Sequence, residues 1–308
     1  MPTEGDSDRL FSSASCFWQI NRELLLGLAG MRALLMEVAH PLIAAGVANH
    51  SDFRKRPFKR LYRTMRLMSC ITFGSRKAAG RAVQGIRQCH SSVKGKLRQP
   101  AGCHPLGRAY NANDPQLKLW VLATLIDSSL CLYELFVRPL SVAEKESYYQ
   151  DSRRMGLLLG IASAKMPADY GSFAAYLQTM LSGGTLVVGA PAQEVAAALL
   201  AGPVRGRIVR AASFVSIGLL PKDLRAAYGL SWNEARQRQL LKLAAICRRL
   251  RPWLPDLLCV NPQAWLAEIC SAPKCAAAEV MRPPLPPRLG GDEELNRRHA
   301  GRKEHFLR

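Results

Sequence analysis

Residues 83–95, Val-Gln-Gly-Ile-Arg-Gln-Cys-His-Ser-Ser-Val-Lys-Gly, place Val83, Ile86, His90 and Val93 at helical rather than strand spacing. A histidine therefore shares a face with aliphatic residues and points inward, one turn after Arg87. The same 3.6-residue signature recurs along the chain, and alternating strand patterns are almost absent. The sequence predicts an all-α protein.

Helix starts are clearest at Asp114-Pro115, an N-cap followed by proline at the first helical position, and at two capping boxes, Ser141 with Glu144 and Ser231 with Glu234. They predict helices running to about 136, 160 and 252. Further helices are predicted over 21–39 and 41–49, interrupted at His40-Pro41, and over 57–72, 75–94, 169–182, 191–201 and 262–280. Residues 95–113 are rich in Gly and Pro and read as a loop, while Leu186 to Val188 is strand-like but lacks a partner. The expected organisation is a flexible leader over 1–16, one globular multi-helix domain over 17–281, and a disordered Pro-rich basic tail over 282–308.

Among 308 residues, 43 Lys and Arg stand against 23 Asp and Glu, a net charge of +20. Fourteen of the basic residues lie between Arg54 and Arg98, where there is no acid at all. Such a run is a solvated face or a surface for polyanions or anionic membranes. Nucleic acid is not the expected partner: zinc-finger spacing, an RNP-like aromatic strand and a basic region leading into heptads are all missing. Nine scattered cysteines without a CxxC pair, and a first segment without the basic-then-apolar secretory pattern, are expected of reduced thiols in the cytoplasm. The longest apolar run, residues 24–48, carries Arg32, Glu37, His40 and Pro41, so it reads as a core helix rather than a transmembrane segment.

The motifs of serine hydrolases, zincins, P-loop NTPases and dinucleotide-binding folds are absent. Of six histidines, His40, His50 and His90 lie in or beside helical sequence; a three-histidine zinc site would need them to converge, although no two share an i, i+3 or i, i+4 spacing. His40 and His50 read as structural residues at helix ends, and Asp114 as an N-cap. Asp127, inside an apolar helix, requires a cationic partner, for which the pocket arginines are candidates. Around His90 the company differs: Arg87 is one turn away, and a second helix carries Arg60, Arg63 and Thr64 on one side. A neutral imidazole beside buried guanidiniums calls for an anionic partner. A haem meets both needs, offering iron to the imidazole and propionates to the arginines.

Five segments in order, MRALLMEVAHPLIAAGVANHSDF (31–53), RLYRT (60–64), FGSRKAAGRAVQGIRQCHSSVKG (73–95), YNANDPQLKLWVLATL (110–125) and PLSVAEKESYYQ (139–150), resemble the oxygenase family of MpaB-type enzymes and latex-clearing protein (rubber oxygenase). The resemblance covers about 20–182, more weakly to about 275. It implies an all-helical fold around one haem b, and use of O2 on an apolar substrate by oxidative cleavage of a C=C bond, as in isoprenoid chains. It also implies that His90, in Arg87-Gln-Cys-His90, is the proximal iron ligand, and that Arg60, Arg63 and Thr64 lie on the distal side.

Two departures stand out. Arg63 occupies the place of a lysine and, being permanently charged, is a poor metal ligand; Leu122 occupies the place of a histidine in WVHxT. The expected roles are therefore His90 on iron, Arg87 and Arg60 on the propionates or orienting His90, and Arg63 and Thr64 shaping the oxygen site. Met65, Leu67, Met68, Trp120 and Leu122 are candidates for lining substrate access, with ordinary core as their plainer role. The alternatives are a haem-binding sensor or carrier without catalysis, and a basic helical protein for nucleic acid or anionic membrane.

Overall fold

A computed structural model describes residues 8–51, 53, 56–200 and 206–271. The expected tail at 282–308 lies outside the described residues. The fold is all-α, with fourteen α-helices and one two-stranded ribbon among the described residues.

At its centre α2 (Ala29–Val38) lies along α6 (Pro115–Phe136). Both are apolar on nearly every side, so both are enclosed. Asp114 caps α6 by accepting from the backbone N–H of Gln116 at 2.8 Å, and Pro115 follows at the first turn. By length and composition α6 could cross a membrane, but more than half of its apolar window is buried inside the protein as the core helix. The 24–48 run bends by 108° at His40-Pro41. There His40 caps α3 (Pro41–His50), its Nδ1 accepting from Leu42 N–H at 3.3 Å.

Around this pair, α1 (Cys16–Asn21) packs on α7 (Val142–Leu158), α9 (Ala190–Leu200) on α2 and α3, α10 (Arg207–Leu219) on α2 and α9, and α12 (Glu234–Leu250) on α6 and α10. α8 (Tyr170–Ser182) packs against α7. α11 (Lys222–Ala227), α13 (Asp256–Cys259) and α14 (Pro262–Ser271) complete the chain. The core carries Trp18, Trp120, Tyr148, Leu35, Met36 and Phe136, all fully enclosed; each large apolar side chain contributes roughly 1.5–3 kcal/mol.

Several expectations change. The described part of the leader is packed: Phe11 is buried and its ring lies 4.4 Å from that of Phe17. The Ser231–Glu234 capping box does not form; Asn233 caps α12 by accepting from Arg236 N–H at 2.9 Å. The long helix expected over 21–39 is split by a 3-10 turn, Leu24–Leu28. α10, absent from the sequence reading, forms at Arg207–Leu219. The 95–113 loop contains a ribbon, β1 (Lys94–Lys96) antiparallel to β2 (Ala109–Asn111), pairing Gly95 with Tyr110. A Cβ on Gly95 would lie 2.5 Å from the Tyr110 hydroxyl, so glycine is what allows the approach. Leu186 to Val188 forms no strand, although Val187 N–H reaches Ala39 O at 2.9 Å.

Candidate active site

α4 (Pro57–Phe73) and α5 (Arg76–Ser91) form a hairpin. Its turn is set by Ser75, which caps α5 by accepting from Ala78 N–H at 3.3 Å. Antiparallel packing sets RLYRT of α4 opposite the RxxH of α5, and the Arg63 guanidinium donates to the Cys89 thiol at 3.9 Å. Between this hairpin and α2, α3, α6 and α7 lies a mostly apolar cavity of about 950 Å³. That volume falls in the range of small-molecule and cofactor sites.

Arg60, Arg63, Thr64, Arg87 and His90 all line it, so the five expected site residues converge. Met65, Leu67, Met68 and Leu122 line it as well. Trp120 does not: it is fully buried and donates Nε1–H to Met36 O at 3.2 Å. Leu122 is buried and faces Gly156 and Met166, so the substituted position forms part of the wall.

Burial lowers the His90 pKa, and the positive charges of Lys118 and Arg60 lower it further, which favours the neutral imidazole. Arg60 Nη1 is buried without a hydrogen-bond partner. Burial also lowers the Arg60 pKa, while Glu37 and Cys89 act in the opposite direction. Arg87 donates Nη2–H to Leu158 O at 2.9 Å, and Lys118 donates to Leu159 O at 3.2 Å; both cations thus sit at the C-terminal end of α7, where the helix dipole favours them. Burial lowers the Lys118 pKa, with Arg87 adding to the effect.

Two site residues escaped the sequence reading. Glu37 of α2 faces the cavity, and burial raises its pKa to about 7 against the opposing charge of Arg60. Lys118 sits one turn into α6 and bears on His90. The available signal for Glu37 was an acid in a mostly apolar helix whose other charged residue, Arg32, stands five positions away and off its i, i+3 and i+4 neighbours.

Of the other histidines, His50 lines the same cavity as His90, whereas His40 and His104 do not. His40 stacks on His104 with ring centroids 5.2 Å apart, and its pKa is pushed down to about 4 by burial and then by His104, with Asp114 opposing. His50 Nε2 lies 3.3 Å from the Tyr110 hydroxyl. No group of three or more His, Cys, Asp or Glu is placed to hold a metal among the described residues, so the three-histidine arrangement is not assembled there. Asp127 finds its cation in Arg32 of α2 at 2.7 Å rather than in a pocket arginine.

The profile of the family described as "ER-bound oxygenase mpaB/B'/Rubber oxygenase, catalytic domain" matches residues 18–251. Two mycobacterial proteins, uncharacterized protein Rv2237 of Mycobacterium tuberculosis and uncharacterized protein Mb2261 of Mycobacterium bovis, are each 29% identical over 242 residues, covering 76% of this chain and 89% of theirs. No solved structure matches significantly. With the match running from α1 to the end of α12 and including both helices of the hairpin, the chain belongs to the mpaB/rubber oxygenase family through its oxygenase catalytic domain.

Proposed function

We propose that this protein is a haem b-dependent oxygenase that uses O2 on an apolar alkene, in the class of oxidative C=C cleavage. The observation that carries the reading is His90, an imidazole whose pKa burial lowers, in one apolar cavity with the unpartnered, buried Nη1 of Arg60. An imidazole kept neutral by its surroundings is the donor that haem iron takes, and a buried guanidinium without a partner is suited to a propionate. The cavity and its donors therefore fit the group.

When bound, the haem supplies the redox chemistry towards O2. His90 would ligate its iron. Arg60 would neutralise a propionate, and Arg87, held against α7, would orient the helix that carries His90. Arg63 and Thr64 offer N–H and O–H donors to the same cavity. Glu37, with a pKa of about 7, can hold or accept a proton near neutral pH. Met65, Leu67, Met68 and Leu122 exclude water and receive the alkene.

A haem sensor or carrier without catalysis is the second reading, favoured by Leu122 in the wall at the position where the resemblance implies a histidine. Oxygen consumption by purified holoprotein with a panel of isoprenoid alkenes tests the proposal. Substrate-dependent uptake with formation of a carbonyl product supports it. A haem protein that consumes no oxygen with any alkene supports the carrier.

A further inference from the structure

Among the described residues, ten of the fifteen large apolar side chains exposed at the surface lie between Leu241 and Ile269. Scattered exposed leucines are ordinary, but concentration in one short segment marks an interaction surface. On α12, Leu243, Ile246 and Leu250 form one stripe at i, i+3 and i+7, and the adjacent stripe carries Arg238, Lys242 and Arg249. The chain then turns through Arg251–Trp253 into α13, where Trp253 is 85% exposed, Leu257 65% and Leu258 62%.

From residue 235 to 255 there are six Lys or Arg and no acid. The neighbouring carboxylates are neutralised: Asp256 pairs with Arg22 at 3.0 Å and with Arg251 at 3.2 Å, and Glu23 with Arg251 at 2.9 Å. Apolar tips beside a basic stripe, with a tryptophan the most exposed of them, are the chemistry of a helix lying in a lipid–water interface.

We infer that the outer stripe of α12 and the Trp253–Leu258 knuckle dock this protein onto an anionic lipid surface. Two other occupants carry the wrong charge. A second copy would set the same basic stripe against itself, and residues 272–308 are themselves net basic, with eight Lys or Arg against five Asp or Glu. The position also has a consequence. α13 packs on the 3-10 turn Leu24–Leu28, whose Leu24, Leu26 and Gly27 line the cavity. A lipid-soluble substrate could thus pass from the bilayer into the cavity beside the docked face. That delivery step rests on the proposed function; the docking does not.

The test uses the full-length protein and flotation with phosphatidylcholine vesicles, with and without phosphatidylserine. The parent floats with the anionic vesicles and is left behind by the neutral ones. W253S/L257S and K242E/R249E each lose at least about thirtyfold in partitioning, in keeping with lost apolar insertion and with two basic residues at about 1 kcal/mol each. Circular dichroism checks that both remain folded, which their exposure predicts. In the parent, brominated lipid quenches tryptophan fluorescence, and W253F keeps the binding while losing most of the quenching, because Trp18 and Trp120 are buried and Trp232 and Trp265 are partly so, whereas Trp253 is 85% exposed. His90→Ala partitions as the parent does, so failure of the haem reading leaves this result standing. Equal flotation with neutral vesicles would overturn the inference. So would loss of binding in K77E/R81E on α5 with the α12 variants unaffected, or a parent that binds no vesicles and self-associates through Trp253.

Discussion

Glu37 of α2 and Arg60 of α4 face one cavity and act on each other's charge: Arg60 pulls the Glu37 pKa down while burial holds it at about 7, and Glu37 in turn favours the charged form of Arg60. An acid that shares its proton near neutral pH and a guanidinium with an unpartnered Nη1 are both costly to keep buried. Their cost makes sense if a reaction and an anionic group use them.

Glu37→Gln removes the proton exchange but keeps the shape. Turnover should fall by about a hundredfold, and the pH–rate inflection near 7 should vanish. Stability gives a second readout. The folded state holds the Glu37 proton up to about pH 7, whereas an unfolded Glu releases it near 4.5, so the contribution is complete below 4.5 and is lost as pH rises to about 7. The loss is at most about 3 kcal/mol. Denaturation curves at pH 4.5 and pH 8 should show it in the parent and not in Glu37→Gln; matching slopes in the two proteins would remove Glu37 from the account.

Arg60→Met should separate binding from stability. Haem affinity falls roughly tenfold to a hundredfold, the worth of a charge-assisted hydrogen bond, while the thermal midpoint of the haem-free protein holds or rises because a buried guanidinium with an unpartnered Nη1 is gone. Haem titration followed by absorbance measures the first, and calorimetry the second. Unchanged affinity with lower stability would make Arg60 a structural residue.

Arg32 is the structural counterpart. It donates to Asp127 at 2.7 Å, Ser128 Oγ at 2.6 Å and Leu219 O at 2.8 Å, tying α2 to α6 and to the end of α10. Arg32→Met leaves a carboxylate and a carbonyl without their cation and should cost about 3 kcal/mol in urea denaturation. The double variant with Asp127→Leu should recover much of that. Equal loss in the single and double variants would mean that packing, not charge, sets the effect.

Gly156 lies under the cavity wall, where an added Cβ would meet Met166 Sδ at 2.5 Å and Leu122 Cδ2 at 2.9 Å. Gly156→Ala should destabilise by about 1–3 kcal/mol through overpacking. A variant as stable as the parent would show that Met166 yields freely.

How far these features were legible follows from where their determinants lie. Helices α4, α5, α6, α7 and α8 carry local signals, such as Asp114-Pro115 and the Ser141–Glu144 box, and their bounds fall close to those read from sequence. The capping box at Ser231 was matched by an equally good local competitor, Asn233, and the side chain nearer the first turn prevailed. The β1–β2 ribbon was hidden because its partners are separated by a Gly/Pro-rich turn, and its anchor, the Tyr110 hydroxyl, bonds Asn49 of α3 far along the chain. In the site, Arg60, Arg63, Thr64, Arg87 and His90 were readable because one hairpin brings them together. Glu37 and Lys118 reach the cavity from α2 and α6, and that proximity exists only after long-range packing.

The central claim is that His90 presents a neutral imidazole to haem iron. It is tested most directly by the absorption spectrum of the protein purified from haem-sufficient cells, alongside His90→Ala. The expected result is a red protein with a Soret band that is lost or strongly diminished in His90→Ala and is partly restored by added imidazole. A colourless parent, or a His90→Ala variant with an unchanged Soret band, would contradict it.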